Sequence, residues 1–288
     1  MTEVENDINR TKEFLRSGRE KFFFVDFKSY SPVFLDTNEE MIDYLKDENI
    51  NGRALTVCAS GDHIFNLLCK GVEEIDSFDI NKVSYYYYKL KCAWILQHSY
   101  KEFLDFYFLI PNEEQEVFRL DKLDDLSFID DETYQYFSSL KNEEVSKLCY
   151  GRDSSYYVKQ RSIFYDENQY EKLRSIIRNG FDFKFFHTDL SNLDEKLNGK
   201  YQYMCLSNIG DYMDRYDLSQ YYKLKEYLQF CKDKIFPFLD DDGKAMFYYL
   251  FNLRKEEDTE RVFNEQKEGK IKKIRTYNGN NAYIYNKK

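Results

Sequence analysis

The chain has 288 residues, 42% of them hydrophobic and 18% aromatic, with only 3 prolines and 11 glycines. These values exclude a disordered or linker-built protein and supply a large core for one elaborated domain or two small ones. A net charge of −10 disfavours a nucleic-acid partner, because binding to a phosphate backbone draws its affinity from released counterions.

Residues 4–17 predict a helix with an incomplete apolar stripe of Val4, Ile8, Phe14 and Leu15. A β-prone stretch follows at 21–27, then a helix over 37–46 whose Met41, Ile42, Tyr44 and Leu45 pack toward a sheet. Asn51-Gly52 turns the chain into an apolar strand at 55–58. That strand breaks at Ala59-Ser60-Gly61, a helix follows, and a second strand at 75–78 delivers Asp79. The acid stands roughly eighteen residues after Gly61, near the spacing at which a carboxylate meets a ribose diol.

Residues 82–98 predict a long helix that contains the run Tyr85-Tyr86-Tyr87-Tyr88. Consecutive residues point all round a helix, so this run is read as part core and part exposed or interfacial, with core packing favoured over an aromatic wall on adenine. From 99 to 182 the alternation of strand and helix stops, and amphipathic helices at 101–109, 113–119, 131–148 and 166–179 predict a helical insertion without a parallel strand. Such an insertion over strand ends is a usual place for a substrate lid.

The alternation then resumes. A strand at 181–187 ends at Thr188-Asp189, and one at 201–206 ends at Ser207-Asn208. A helix over 219–238 breaks near Pro237, and a turn at 240–243 opens a strand at 244–251. A polar helix at 254–267 precedes a hairpin of 270–277 and 281–286 around Asn278-Gly279. The basic run Lys270-Ile271-Lys272-Lys273-Ile274-Arg275 suits an exposed strand better than a nucleic-acid patch.

Six cysteines form no CxxC pair and no Cys-His cluster at metal spacing, so no metal is expected. Cys58, Cys69, Cys92 and Cys205 read as small core fillers, and a reducing cytoplasm as the home. The first twenty or so residues are too charged for a secretion signal. No apolar run approaches the roughly 18 residues of a membrane span, leaving peripheral contact with lipid as the one membrane role open.

Strand, Gly-centred turn, helix, strand and acidic strand end form the nucleotide-binding half of a doubly wound α/β fold, which holds an adenosine-containing ligand at its strands' carboxyl ends. The turn is no dinucleotide fingerprint, since GxGxxG needs small residues where this chain has Asp62, His63 and Phe65. It lines up better with the GxGxG loop of class I S-adenosylmethionine (SAM) methyltransferases, read as Ala59, Gly61 and His63. Five parallel candidates followed by an antiparallel pair also match that superfamily's seven strands.

Over residues 20–288 the chain resembles a class I SAM-dependent methyltransferase-like protein. Within that superfamily it is similar to the 3-amino-3-carboxypropyl transferases of betaine-lipid biosynthesis and their uncharacterised bacterial relatives. The strings that carry this are Ala59-Ser60-Gly61-Asp62-His63, Asn66-Leu67-Leu68, Asp79-Ile80-Asn81, Tyr88-Lys89-Leu90-Lys91 and Leu206-Ser207-Asn208-Ile209-Gly210-Asp211-Tyr212-Met213. The resemblance implies an α/β fold: a Rossmann-like seven-stranded class I methyltransferase sheet with helices on both faces and a helical insertion. It implies a cap segment at 1–53, a SAM-binding domain at 54–98 and 183–288, and the insertion at 99–182 as lid.

The implied cofactor is S-adenosylmethionine and the implied acceptor a small or lipid-like molecule. Ala59, Ser60, Gly61, Asp62 and Asn81 would line the cofactor, with Asp79 on the ribose and Thr188 and Asp189 at the adenine amino group. Ser207 and Asn208 would present polar atoms to the sulfonium arm. Asp211 or Tyr212 would orient or deprotonate the acceptor, and His63 is the best-placed group that titrates near neutrality. The insertion offers Tyr150, Arg152, Tyr156, Tyr157 and Arg161, where an arginine fork would suit a carboxylate. Each has a plainer alternative: Asp79 as a cap for the helix from Lys82, Asp189 as a turn residue, His63 as a structural histidine.

One position departs from the superfamily pattern. Val57 ends the first strand, where ordinary methyltransferases place an acid. The methionine amino group then needs another partner: Asp62, a backbone carbonyl or an insertion residue. That departure favours aminocarboxypropyl transfer over methyl transfer, and it equally suits a binding module without chemistry.

Overall fold

The apolar runs become strands because each can be covered on both sides. The computed structural model describes residues 1–17, 33–34, 37, 39–107, 123–124, 127–141, 144, 149–150, 164, 166–212, 220–248, 270–275 and 281–287. The segments expected at 21–27, 113–119 and 254–267, together with Arg152, Tyr156, Tyr157, Arg161 and Asn278-Gly279, lie outside these. The chain divides into two compact units, one of residues 1–38, 58–69 and 79–181, the other of 39–57, 70–78 and 182–288.

The second unit is built on a sheet of seven strands: β1 (Arg53–Val57), β2 (Glu74–Asp79), β3 (Asp182–His187), β4 (Tyr201–Cys205), β5 (Leu239–Phe247), β6 (Lys270–Arg275) and β7 (Asn281–Asn286). Their order is β3-β2-β1-β4-β5-β7-β6. β1 runs parallel to β2 and β4, β4 parallel to β5, and β7 antiparallel to both β5 and β6. Asp182 N donates to Glu73 O at 3.0 Å, so β3 and β2 start side by side and run the same way. Five parallel strands closed by a hairpin are the arrangement expected of the class I methyltransferase fold, and the order reverses between β1 and β4.

Central parallel strands are covered on both faces and are therefore largely apolar where they cross the core. Ala54, Leu55, Met204 and Cys205 accordingly have no exposed surface. At the β2 side, β3 alternates exposed and half-buried residues, as an edge strand does. The basic run forms β6, the opposite edge, where lysines discourage pairing with a further strand.

The start of β5 and the helix expected over 219–238 differ from the expected bounds. β5 begins at Leu239 and not at 244, because the register slips between Tyr201 and Tyr203 and accommodates the acidic residues as a bulge. Lys287 fixes that bulge by donating to Leu239 O at 2.6 Å, and its backbone N–H bonds Gly243 O at 3.3 Å. The helix expected over 219–238 is α-helical only from Gln220 to Phe230, widens to a π-turn over Cys231–Ile235 and tightens to 3-10 at Phe236–Phe238 around Pro237. Tyr227, Cys231, Ile235 and Phe236 from this segment pack with Leu55, Met204, Phe247 and Tyr285 in the unit's core.

A polar knot ties the starts of the strands. Arg53 meets Asp76 at 2.6 Å and Glu74 at 2.7 Å, donates to Asn198 O at 2.6 Å, and lies 4.7 Å over the Tyr201 ring. Tyr201 donates its hydroxyl to Asp76, whose side chain is 1% exposed.

The first unit is helical in its long elements: α1 (Glu3–Ser17), α2 (Asp62–Cys69), α3 (Lys82–Gln97), α4 (Tyr100–Tyr107), α5 (Asp131–Ser138) and α6 (Glu167–Asn179). α5 stops well short of the expected 148. Ser139 donates its hydroxyl to Tyr136 O at 2.6 Å and Leu140 N bonds Phe137 O at 3.0 Å, which closes the last turn. The insertion was expected to lack a parallel strand, yet Cys149–Tyr150 pairs in parallel with Val33–Phe34.

α3 is buried on almost every side, so most of the tyrosine run is core. Tyr86, Tyr87 and Tyr88 are each at most 2% exposed, and Tyr85 is half-buried. Tyr86 stacks on Tyr136 at 4.8 Å and donates to Asp7 at 3.0 Å, so α1 and α5 enclose that face. Among the described residues no helix is long and apolar enough to cross a membrane.

Candidate functional site

In each of the two strands beside the topological reversal, the second residue past the strand adopts left-handed backbone: Ala59 after β1 (φ 44°) and Ser207 after β4 (φ 52°). Non-glycine residues persist there only where their surroundings over-determine them, and such positions gather at ligand sites. Those surroundings differ between the two units.

In the first unit, the turn after β1 is drawn toward Asp79. Ala59 N donates to Asp79 Oδ2 and Asn81 N to Oδ1, both at 2.9 Å. Gly61 (φ 83°) bonds its N–H to Cys58 O at 2.7 Å. A Cβ at position 61 would lie 2.9 Å from Tyr88 Cδ2, so the tyrosine run leaves room for glycine only. The helix cap proves to be Asn81, whose side chain accepts from Val83 N at 3.0 Å, and this leaves the half-buried Asp79 holding the turn. Replacing Asn81 with alanine should therefore lower stability by about 1 kcal/mol in urea unfolding, with a smaller effect on ligand affinity than any change at Asp79. Beside Asp79, Ile80 is 45% exposed, an apolar surface at the strand end.

Asp62 opens α2 but turns inward. Its carboxylate accepts from Lys91 at 2.8 Å, from the Ser60 hydroxyl at 2.9 Å and from Thr37 N at 2.7 Å. Lys91 also donates to Ser60 O at 2.9 Å. Asp62, expected as a partner of the ligand's amino group, is thus spent on the protein's own donors. His63, expected to titrate near neutrality in the loop, is 2% exposed and belongs to the interior of α2, where the first turn buries it.

In the second unit, Ser207 donates its hydroxyl to Glu39, and Asn208 Oδ1 lies 3.3 Å from the same oxygen. Glu39 is 2% exposed and also accepts from the Tyr44 hydroxyl at 3.0 Å. Burial, aided by the Glu39 charge, pushes both the Tyr44 phenol and the Cys205 thiol well up. Gly210 passes Tyr227 so closely that a Cβ would sit 2.7 Å from Cδ1. The backbone sets Asp211 and Tyr212 at the end of the 3-10 turn Ile209–Tyr212; their side chains lie outside the described residues.

Asp189 caps the 3-10 turn Leu190–Glu195. Its Oδ1 accepts from Ser191 Oγ at 2.6 Å and from Asn192 N at 3.1 Å, and these hydrogen bonds, the serine's foremost, hold its carboxyl below the usual range. Thr188 donates to Asp189 O at 3.2 Å. The turn reading of this pair is what the geometry displays.

Desolvation raises Cys69 to about 11 and Cys92 to about 12, far above the value at which a thiolate forms at neutral pH. Cys69 is half-buried and not the core filler expected, because it ends α2, where its thiol lies 3.9 Å from Gln169 O.

Three residues that the geometry brings forward were not expected at the site: Lys91, Glu39 and Ile80. Lys91 had a signal, since it lies three and four residues after Tyr88 and Tyr87, on one helical stripe with them. Glu39 carries none, for one acid ahead of a short helix reads as solvated surface.

No protein-family model matches the chain, and no curated protein matches it in sequence. Among solved structures it is similar to the N-methyltransferase NodS from Bradyrhizobium japonicum WM9 in complex with S-adenosyl-l-homocysteine, at 8% identity and a TM-score of 0.40 over 98% of each chain. It is also similar to an rRNA methylase from Streptococcus thermophilus, at 10% identity and a TM-score of 0.38 over 85% of this chain and 92% of that one. A third is the ribosomal protein L11 methylase from Lactobacillus delbrueckii subsp. bulgaricus, at 12% identity and a TM-score of 0.36 over 86% of this chain and 75% of that one. Strand order and hairpin, not these likenesses, define the fold.

Proposed function

We propose that the protein is a SAM-dependent transferase acting on a small-molecule or lipid-like acceptor. The observation that carries this is the carboxylate at the end of β2, tied by Ala59 N to the turn after β1, in a sheet of class I methyltransferase order. Asp79 takes the ribose hydroxyls through charge-assisted hydrogen bonds, and the exposed Ile80 gives the adenine an apolar wall. Ala59, Ser60 and Gly61 contribute backbone, Ser207 and Asn208 polar atoms at the transferred group, and Thr188 and Asp189 the purine edge. Asp211 or Tyr212 serves as base for the acceptor, and residues 99–182 as lid. The working compartment is the cytoplasm.

We read the transferred group as the 3-amino-3-carboxypropyl arm. The acceptor's nucleophile forms a bond to the arm's γ-carbon, the carbon–sulfur bond breaks with its electron pair going to sulfur, and neutral methylthioadenosine leaves. The acceptor's proton passes to the base. Orientation and water exclusion are the protein's main contributions to such a step. Val57 at the end of β1, where an acid would anchor a methyl donor's amino group, favours this over methyl transfer.

Incubation of the protein with SAM and pools of small molecules and lipids tests both. Methylthioadenosine is the expected product. S-adenosylhomocysteine would replace this reading with methyl transfer. Calorimetric SAM binding without either product would make the protein a sensor or partner module, and no binding at all would end the transferase reading.

A further inference from the structure

Lys91 lies on α3, thirty or so residues from the turn it serves, with a side chain only 3% exposed. Its ammonium donates to Ser60 O at 2.9 Å and to Asp62 Oδ1 at 2.8 Å. Two aromatic faces complete the surroundings, Tyr87 with its centroid at 4.9 Å and Phe164 at 6.0 Å, a geometry in which rings stabilise a desolvated cation. Asp62 passes the constraint on, since Ser60 Oγ and Thr37 N converge on its Oδ2.

A buried ion pair gains little stability over apolar residues of the same shape, because desolvation of both charges offsets their attraction. What this pair does achieve is conformational. It grips one carbonyl and one carboxylate that bracket Gly61, next to the left-handed Ala59, and backbone of that kind does not hold itself.

We propose that Lys91 is a positioning residue for the ligand turn: its ammonium latches Ser60 and Asp62 so that residues 59–62 stand ready for the adenosyl ligand. This rests on the transferase reading for the ligand's identity, though not for the latch itself. Lys91 fills the anionic end of the turn from within, so the ligand's own ammonium is not received by Asp62.

Amide hydrogen exchange of the unliganded protein at residues 59–63 reads the latch directly, and S-adenosylhomocysteine titration reads its consequence. In Lys91→Met, which keeps the stem against Tyr87 and Phe164, exchange at 59–63 should quicken about tenfold and affinity fall about tenfold, with a cooperative thermal transition retained. In Lys91→Ala, added ethylammonium should restore both readouts, and sodium at the same ionic strength should not. Unchanged exchange in a folded Lys91→Met protein overturns the proposal, as does an affinity loss in Lys91→Ala that ethylammonium leaves in place. Should both single variants fail to fold, Asp62→Asn/Lys91→Met removes both charges at once: fast exchange there supports the latch and slow exchange overturns it. A wild-type protein that ignores S-adenosylhomocysteine sinks the transferase reading and leaves amide exchange to decide on Lys91.

Discussion

Replacing Asp76 with alanine is expected to lower unfolding free energy by about 3 kcal/mol, the largest stability change anticipated for a single substitution here. The carboxylate is almost wholly buried and binds both Arg53 and the Tyr201 hydroxyl. Its removal leaves a guanidinium whose side chain is 12% exposed with Glu74 as its remaining acid, itself 40% exposed. Burial and the Asp76 charge also push the Tyr201 phenol far above its ordinary value, so the ring supplies a proton and never a second anion. Urea unfolding with a fixed m-value gives the figure. A loss under about 1 kcal/mol would mean that water replaces the carboxylate, and the knot would then be a surface pair of little consequence.

Replacing Asp79 with alanine is expected to weaken S-adenosylhomocysteine binding by about 1–3 kcal/mol, roughly fivefold to 150-fold. Two losses combine. Ala59 and Asn81 each lose the acceptor of a backbone N–H, and the ribose loses a charged acceptor. Asp79→Asn separates them, because a carboxamide oxygen keeps one backbone bond while forfeiting charge: its affinity should fall between wild type and alanine. Calorimetry on the three proteins decides, and an Asp79→Ala affinity equal to wild type refutes the ribose assignment.

Much of the second unit is readable in the chain because its strands are buried on both faces and stand as short apolar runs between turn residues. β1, β2 and β4 begin or end within two residues of the runs that announce them. β5 escapes by five residues, since an acidic stretch ending in Gly243 reads as a turn, and only the bulge against Tyr201 makes it strand. Asp79 and Gly61 are legible for a like reason: their roles depend on a strand end and a φ sign, both local. Lys91, Glu39 and the fate of Asp62 depend on which side chains meet across tens of residues. The spacing of Lys91 from Tyr87 and Tyr88 marks it as a neighbour of those rings, but the acid it pairs with is not legible until α3 is found enclosed.

The hairpin has a consequence for how the sheet is made. β7 lies between β5 and β6 although it follows both along the chain. While a ribosome is still extending the polypeptide, β5 therefore keeps one ladder of N–H and C=O groups open, and β6 has nothing to lie against. Only synthesis of residues 281–286 closes that gap, with Tyr283 and Tyr285 then entering the core. Nascent chains halted before that point would present an open strand edge prone to pairing with other chains, so the sheet is sealed only once residues 281–286 are in place.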